Sequence, residues 1–300
     1  MIVSLVIAVT VFVAMPLAFS VRVWRLDEPN RAAWLLLTAD SAVFVALILL
    51  VGRWDIAGIY TPFVLAMVFV LAVVVSLFRH AGRPWRPSQG SSFLRRHWAT
   101  CATLATFTLA LAYAVAGLIP VGPAQELAFP LRDGRFMVAQ GGGNWLVNHH
   151  SGHPAQTYAA DITAIGPTGF RAPSLLPDVL ERYAIFGASI VSPCAGEVVE
   201  AVDGLPDLVP PAADPENAAG NHVTIACGDL LVELAHLRQG SVAVNAAEPI
   251  STGDPIGEVG NSGNTTEPHL HIHAVDPVSG EGVRMSFDGG VPFRNRVYAR

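Results

Sequence analysis

The sequence contains no lysine, and only 14% of its 300 residues are charged. All 18 basic residues are arginines, while 52% of the residues are hydrophobic. A typical soluble domain has about 25% charged residues. The low charge therefore argues against a wholly soluble protein, and the hydrophobic excess lies before Val121.

Positive charge is scarce in the second half of the chain. Residues 122–300 contain 9 arginines and 20 acidic residues, for a net charge of −11, whereas residues 1–121 contain 9 arginines and 4 acidic residues. An acidic surface repels the phosphates of a nucleic acid. The charge distribution therefore argues against a nucleic-acid partner.

Four runs in the first half carry few or no charges, and each is about the ~20 residues that a helix needs to cross a bilayer. They are approximately Ile2–Val21, Ala33–Val51, Ile59–Phe78 and Trp98–Val121. The first run lacks a preceding basic segment and a small-residue cleavage site, so we interpret it as a retained helix rather than a signal peptide. We therefore expect residues 1–121 to form a four-helix transmembrane anchor in contact with a lipid bilayer.

The loops between these runs differ in arginine content. The first loop contains Arg22, Arg25 and Arg31, and the second contains only Arg53. The third loop contains Arg79, Arg83, Arg86, Arg95 and Arg96. The positive-inside rule places arginine-rich loops in the cytoplasm. The sequence thus predicts a multi-pass protein of the cell membrane whose N-terminus and C-terminal domain are both extracytoplasmic.

One acidic residue, Asp40, falls inside the second hydrophobic run. An ionisable group at that depth is costly and is a functional candidate by default. We favour a hydrogen bond to Ser41 or Thr38 over a proton or ion pathway.

Residues 122–300 show a β pattern. Ile190–Val202 is typical of two short strands around a turn, and His222–Cys227 and Leu230–Leu237 are typical of a hairpin. Two irregular insertions interrupt this pattern: Gly166–Pro177, followed by a single helix at Asp178–Phe186, and Asp203–Gly220. Long loops of this kind are either functional or disordered. The predicted fold class is four transmembrane helices followed by a mostly antiparallel β catalytic domain.

Cysteine is rare, with only three in the chain. Cys101 falls in the fourth hydrophobic run and is interpreted as a small buried residue. Cys194 and Cys227 fall in the domain that we expect outside the cytoplasm, where an oxidising environment favours a disulfide over zinc ligation or free thiols.

Eight of the ten histidines lie between residues 149 and 273. If Pro268–His273 is a strand, its alternation puts His269, His271 and His273 on one face. A catalytic zinc takes three protein ligands and leaves a position for water. Asp161, a histidine of this strand and one upstream histidine would supply such a set.

These segments resemble the lysostaphin/LytM-type zinc endopeptidases, which cut peptide bonds in peptidoglycan. The resemblance covers about Asn148–Val275. Its motifs are the Gly-x-Ser-Gly lead-in and His-x-His pair within Gly260–His271, the isolated histidine of Ala235-His236-Leu237, the hairpin Ser192–Val199, and the segment Ala159-Ala160-Asp161-Ile162.

The resemblance implies a role for each matching residue. Asp161 and His271 would be zinc ligands, and His236 and His269 would be catalytic histidines that do not bind the metal. Most members carry the first ligand histidine four residues before the aspartate, where this chain has Thr157.

Some membrane-bound relatives instead carry Asn-x-His upstream of Gln-x-Tyr-Ala-x-Asp. Asn148-His149-His150 and Gln156–Asp161 fit that form, which favours His150 as the first ligand, with His149 and His153 as alternatives. At His273 the family usually has glutamate, and the sequence does not decide whether this residue tunes the site. Asn221 and His222 are candidate partners for the ligand histidines.

The resemblance implies a membrane-anchored zinc metalloendopeptidase acting on peptidoglycan cross-links or stem peptides. An alternative is a catalytically silent module that binds the cell wall or regulates other proteins. The displaced position of the first ligand histidine is the feature that favours this alternative. A third interpretation, a transporter or sensor, rests on Asp40 alone. Oligomeric state is not determined by the sequence.

Overall fold

The structure is a computed structural model that describes residues 2–85 and 93–300. By internal contacts it divides into two compact units, one running from Val3 to Val115 and one from Ala116 to Arg300; Ile2 and Ala116–Leu118, the outer ends of the first and last helices, are grouped with the second. Arg86, one of the arginines of the predicted third loop, lies outside the described residues.

The first unit is helical. Its helices are α1 (Ile2–Val9), α2 (Met15–Arg25), α3 (Arg31–Val51), α4 (Trp54–Ala57), α5 (Thr61–His80) and α6 (Phe93–Leu118), and a π-helical turn, Thr10–Ala14, joins α1 to α2. Among the described residues, four helical stretches are long and apolar enough to cross a membrane, namely Val3–Arg25, Arg31–Val51, Thr61–His80 and Phe93–Leu118. The predicted four-helix region is therefore confirmed.

Local sequence signals set where these helices begin. Asn30 precedes α3, and its side-chain oxygen accepts a hydrogen bond from the backbone N–H of Ala33. This interaction satisfies one of the free donors at a helix N-terminus. In α5 a proline occupies the first turn, where its missing N–H costs nothing.

Asp40 of α3 is buried, but its partners differ from the ones we expected. Arg22 Nη1 lies 2.6 Å from Asp40 Oδ2, and the Thr103 hydroxyl donates to Asp40 Oδ1 at 2.7 Å. The Ser41 hydroxyl instead donates to the Leu37 carbonyl. An arginine and a hydroxyl from two other helices thus satisfy the carboxylate, as a buried charge requires.

The second unit is a β domain. Its strands are β1 (Gln125–Leu127), β2 (Arg135–Gln140), β3 (Ala160–Ala164), β4 (Ser189–Val191), β5 (Gly196–Val202), β6 (Asn221–Cys227), β7 (Leu230–Leu237), β8 (Pro249–Ile250), β9 (Pro255–Glu258), β10 (Leu270–Val275), β11 (Gly282–Val283), β12 (Met285–Phe287) and β13 (Val297–Ala299). The main sheet has the order β13-β2-β3-β10-β7-β6-β5-β8, with β11 also paired to β10. All of its described pairs are antiparallel, as predicted.

Strand β10 lies between β3 and β7, and this arrangement positions the site. Its apolar side chains Leu270, Ile272 and Ala274 belong to the buried core of the domain. Fully burying a leucine or isoleucine side chain stabilises a fold by about 1.5–3 kcal/mol. His271 and His273, on the opposite face, are also buried, while His269 lies one residue before the strand begins.

The expected disulfide is present between Cys194 and Cys227, whose Cα atoms are 5.9 Å apart. It joins the chain just before β5 to the end of the neighbouring strand β6. Closing a loop of this length stabilises a domain by about 3–4 kcal/mol in the chain-entropy model.

The helix expected at Asp178–Phe186 is wrong. The structure has only a three-residue 3-10 turn, Leu180–Arg182, and the side chains of Tyr183 and Ile185 are buried. A helix of nine residues is marginal by itself. Packing of alternate residues into the domain outweighs the weak helical preference.

Candidate metal centre

The centre is built on one pair of facing residues, Asp161 of β3 and His271 of β10, which are direct partners in the sheet register. Asp161 Oδ1 is 2.9 Å from His271 Nδ1 and 2.9 Å from His150 Nε2. Asp161 is 5% exposed and His271 is 3% exposed. Two imidazole nitrogens and one carboxylate oxygen, gathered at a buried point, are a donor set of the kind that a catalytic zinc takes.

His150 reaches this point from a loop that Asn148 fixes. The fully buried Asn148 accepts a hydrogen bond from the His150 backbone N–H at 3.1 Å. Its amide nitrogen donates to the carbonyls of Gly142 at 2.9 Å and Ala159 at 3.0 Å. Asn148 caps the 3-10 turn His149–Gly152 that carries the histidine. Both the oxygen and the nitrogen of the Asn148 amide therefore form hydrogen bonds that hold the loop of His150. We did not assign this supporting role from the sequence.

The three candidate first ligands take different places. His149 and His150 each bring one nitrogen to within 4.8 Å of the other and of an Asp161 oxygen. Their rings are 3.9 Å apart, and His149 is the more exposed of the two. His153 lines the cleft outside that group.

The charges around Asp161 are coupled. Burial by itself raises the pKa of Asp161, but the charges of His269 and His150 and hydrogen bonds from His150 and His271 outweigh it and hold the pKa well below its ordinary value. Burial lowers the pKa of His150, but the attraction of Asp161 outweighs this effect and leaves the pKa raised. Burial dominates at His271, where the pKa is lowered, and at His149, where it falls to about 4. The carboxylate is therefore ionised and available as a ligand.

His236 and His269 lie beside this cluster, with their ring centroids 4.8 Å apart. Nδ1 of His236 is 2.9 Å from the Ser262 carbonyl, and Nδ1 of His269 is 2.8 Å from the Glu267 carbonyl. Because a carbonyl oxygen can only accept, both Nδ1 atoms carry the proton and a neutral ring keeps its lone pair on Nε2. His269 Nε2 is 3.6 Å from Asp161 Oδ1.

The His236 backbone is strained, with a φ of +65°. This left-handed conformation is uncommon for residues other than glycine and concentrates at functional sites. Burial, followed by the nearby charges of His269 and His271, holds the pKa of His236 well below its ordinary value. His236 is therefore neutral at pH 7.

His273 contacts the side of the His271 ring opposite Asp161. Its Nδ1 is 3.1 Å from His271 Nε2, the nitrogen that points away from Asp161, and 3.9 Å from a carboxylate oxygen of Glu233. Burial lowers the pKa of His273 to about 3. Glu233 is the register partner of His273 on β7, a relationship that no sequence pattern indicated.

Asn221 and His222, the candidate partners for the proposed ligand histidines, form their described hydrogen bonds elsewhere. The Asn221 amide bonds to Leu205 and Leu237, and its backbone N–H donates to the Ser262 hydroxyl. His222 bonds to the Gly220 carbonyl. Both lie on β6, which is separated from β10 by β7, whereas His273 lies on β10 itself and contacts His271.

The site opens into a cleft of about 670 Å³, within the ordinary range for binding pockets. The cleft is lined by His149, His150 and residues 153–156, and by Ala218, Ala219 and Asn264. Ala218 and Ala219 belong to the second insertion, residues 203–220, which the sequence left as either functional or disordered.

Acidic side chains hold that insertion in place. Asp207 accepts hydrogen bonds from the backbone of Asn261 at 2.6 Å and Gln239 at 3.1 Å, and Asp203 accepts one from Gly240 at 2.8 Å. The Ala219 carbonyl in turn accepts from the His236 N–H at 3.0 Å. The insertion is therefore an ordered wall of the cleft that also contacts the backbone of His236.

Comparison with known proteins agrees with this site. Residues 182–283 match the family described as Peptidase family M23. The match includes His236, His269 and His271, whereas His150 and Asp161 precede it. No curated protein matches the chain at a significant level.

Three solved structures are similar to parts of the chain. A zinc-containing peptidase from Vibrio cholerae is 22% identical over 34% of this chain and 26% of that one, with a TM-score of 0.26. The antimicrobial peptidase lysostaphin from Staphylococcus simulans is 20% identical over 31% and 37%, with a TM-score of 0.23. Helicobacter pylori Csd3 is 17% identical over 54% and 34%, with a TM-score of 0.30. The chain thus spans less than half the length of each. Residues 182–283 thus match the family described as Peptidase family M23, in agreement with the resemblance of this chain's motifs to the lysostaphin/LytM-type enzymes.

Proposed function

We propose that this protein is a zinc metalloendopeptidase, anchored in the cell membrane by four helices, that hydrolyses peptide bonds of peptidoglycan outside the cytoplasm. One observation carries the proposal. His150 Nε2 and His271 Nδ1 each lie 2.9 Å from the same oxygen of the buried Asp161. His150 is only 11 residues from Asp161 in the chain, but His271 is 110 residues from it. The M23 domain supports the peptidase activity.

The donor set fits zinc. Two nitrogens and one carboxylate oxygen are ligands that zinc accepts, and three protein ligands leave a position open for substrate or water. We assign the first ligand to His150 rather than His149 because His150 bonds both oxygens of Asp161, at 2.9 and 3.0 Å, and is held by Asn148. His149 is exposed and has no comparable support among its described contacts.

The proposed chemistry divides between metal and protein. When bound, zinc supplies Lewis-acid polarisation of the scissile carbonyl and acidification of water. His236 and His269 handle protons. The lone pair on Nε2 of one ring accepts a proton from the attacking water, and the protonated ring returns it to the leaving amine. A ring protonated at Nε2 can also donate a hydrogen bond to the developing oxyanion.

The anchor would limit where the enzyme acts. Helix α6 ends at Leu118 and β1 begins at Gln125, so the connector is residues 119–124. Six residues extend at most about 20 Å. We therefore expect substrate close to the membrane to be cleaved, and a long rigid spacer inserted after Leu118 to change which part of the wall is cut.

The test uses the full-length protein in detergent. Zinc content is measured by mass spectrometry, and cleavage is measured as new amino groups released from purified peptidoglycan. We expect near-stoichiometric zinc and hydrolysis, both lost in His271→Ala and both retained in His222→Ala, a histidine of the same domain outside the cluster. Metal-free protein that binds wall fragments without cleaving them would contradict the proposal and favour the silent binding module.

A further inference from the structure

The first insertion of the β domain contains an arginine whose burial calls for an explanation. We propose that Arg171 is a positioning residue that fixes the orientation of His269 through Glu267, so that the insertion controls the proton-handling step of the proposed peptidase. The inference rests on the proposed catalytic role of His269. Arg171 precedes residues 182–283, and the M23 match therefore says nothing about it.

Arg171 is 2% exposed, and it is one of the largest fully buried side chains among the described residues. Its Nη2 lies 2.5 Å from Glu267 Oε2 and donates to the Leu175 carbonyl at 2.9 Å. The guanidinium also lies 5.6 Å from the ring centroid of Tyr183. A buried guanidinium is costly unless it is paired. Its position is therefore closely determined by Glu267 on one side and by the insertion on the other.

Glu267 connects this ion pair to the site. Its side chain bonds Arg171, while its backbone carbonyl accepts the Nδ1–H of His269 at 2.8 Å. The same carbonyl accepts a hydrogen bond from the Thr265 hydroxyl, also at 2.8 Å. Holding the Glu267 side chain therefore holds the acceptor that sets the His269 ring.

The segment needs this support because it lacks the hydrogen bonds of a sheet. Residues 261–269, all of them described, form neither helix nor strand, and β10 begins only at Leu270. The Glu267 backbone N–H donates to the Thr265 hydroxyl over a long distance, 3.4 Å. Loss of the ion pair would therefore remove one of the constraints on the Glu267 peptide.

The orientation of the ring matters for the chemistry. A proton on Nδ1 leaves Nε2 as the atom that exchanges protons, and Nε2 lies 3.6 Å from Asp161 Oδ1, beside the candidate zinc ligands. Misplacing a catalytic group by about 1 Å can cost about 100-fold in rate. None of the residues that line the cleft comes from the first insertion. Loss of Arg171 should consequently lower kcat and leave KM and metal binding unchanged.

The experiment compares Arg171→Met with Arg171→Lys, Glu267→Gln and the control Arg300→Met, all in the full-length protein in detergent. Arg300 forms an exposed ion pair with Asp288 and does not line the cleft. We expect Arg171→Met to lower kcat about 10- to 100-fold at unchanged KM and zinc content. Arg171→Lys, which keeps a cation near Glu267, should recover part of that loss, and Arg300→Met should behave as wild type.

A second readout does not depend on turnover. With ¹⁵N-labelled histidine, the His269 ring, assigned by its absence from a His269→Gln spectrum, should show a proton fixed on Nδ1 in the wild type and exchange between the two nitrogens in Arg171→Met. A wild type that binds zinc but hydrolyses nothing would overturn the proposed function, while the ring signals would still decide this inference.

Folding is verified in each variant by cooperative thermal unfolding. A folded Arg171→Met with kcat within twofold of wild type and unchanged His269 signals would overturn the inference. If Arg171→Met does not fold, Glu267→Gln decides the question, because it keeps the side-chain shape and removes only the charge. Unchanged kcat and unchanged ring signals in that variant would equally overturn it.

Discussion

His271 and Asp161 face each other across neighbouring strands, with Nδ1 of the histidine 2.9 Å from Oδ1 of the aspartate. His150 bonds the same oxygen from a loop, and the exposed His149 stands beside it. This arrangement predicts that His150, and not the adjacent His149, binds the metal. We expect His150→Ala to abolish zinc binding by the purified protein and His149→Ala to retain most of it, as measured by mass spectrometry of bound metal. The reverse result would transfer the ligand role to His149.

The contact between His273 and His271 predicts a role in metal affinity. A ligand histidine is oriented by a partner on its second nitrogen, and loss of that partner typically costs about 10- to 100-fold in metal affinity. We expect His273→Ala to weaken zinc binding by this factor in a competition titration with a chromophoric chelator. His273→Glu, which restores an acceptor beside His271 Nε2, should recover much of it. Equal affinity in all three proteins would show that His273 only fills space.

Buried neutral histidines predict that acid destabilises the metal-free protein. The pKa of His273 falls from 6.5 to about 3 on folding, so the unfolded chain binds its proton first as the pH drops. Stability from this group is complete above pH 6.5 and decreases by about 1.4 kcal/mol per pH unit below it, down to the folded pKa. His150, whose pKa is raised, has the opposite sign and stabilises the fold below its own folded pKa.

We therefore expect the Tm of the chelator-treated protein to fall between pH 6.5 and pH 4, and to fall less steeply in His273→Gln. Parallel curves for the two proteins would show that His273 does not contribute to the pH dependence.

The disulfide predicts a measurable loss of stability on removal. We expect a Cys194→Ala, Cys227→Ala double variant to lose about 3–4 kcal/mol of unfolding free energy, because the unfolded chain is no longer closed into a loop. Cys101→Ala, the control, leaves that loop closed and should unfold as wild type does. Denaturant titration of the β domain signal in the full-length protein measures both. A double variant as stable as wild type would contradict the assignment.

Two glycines of almost equal backbone conformation predict how closely the cleft wall is packed. Gly220 has φ +62° and Gly228 has φ +63°, but a Cβ added to Gly220 would lie 2.3 Å from the Ser262 carbonyl oxygen, whereas one on Gly228 would meet nothing within 4 Å. Gly228→Ala should therefore cost only the backbone strain of about 1 kcal/mol.

Gly220→Ala should cost several times more, since the second insertion must move away from Ser262, and it should also reduce peptidase activity because Ala219 contacts the His236 backbone. Thermal unfolding and hydrolysis rates of the two variants measure this difference. Similar values for both would show that the wall is not tightly packed.

Most of the architecture could be predicted from the sequence because it follows from local patterns. Long uncharged runs specify membrane-length helices, and alternation around turns specifies the β6–β7 hairpin and the strand of the histidine pair. The helix expected at Asp178–Phe186 was wrong because its weak preference yielded to packing of Tyr183 and Ile185, a tertiary effect. The partners of Asp40 were also missed, since Arg22 and Thr103 come from other helices.

What the sequence by itself determined is the set of chemical groups: an apolar helical region, an acidic β domain, and histidines with Asp161 in motifs that resemble a zinc peptidase. Only the tertiary structure decided which of these groups meet. The β3–β10 register brings His271 to Asp161, the β7–β10 register brings Glu233 to His273, and an insertion brings Arg171 to Glu267. Such pairings depend on contacts between residues far apart in the chain, and side-chain spacing along one strand or loop carries no information about which partner lies across from it.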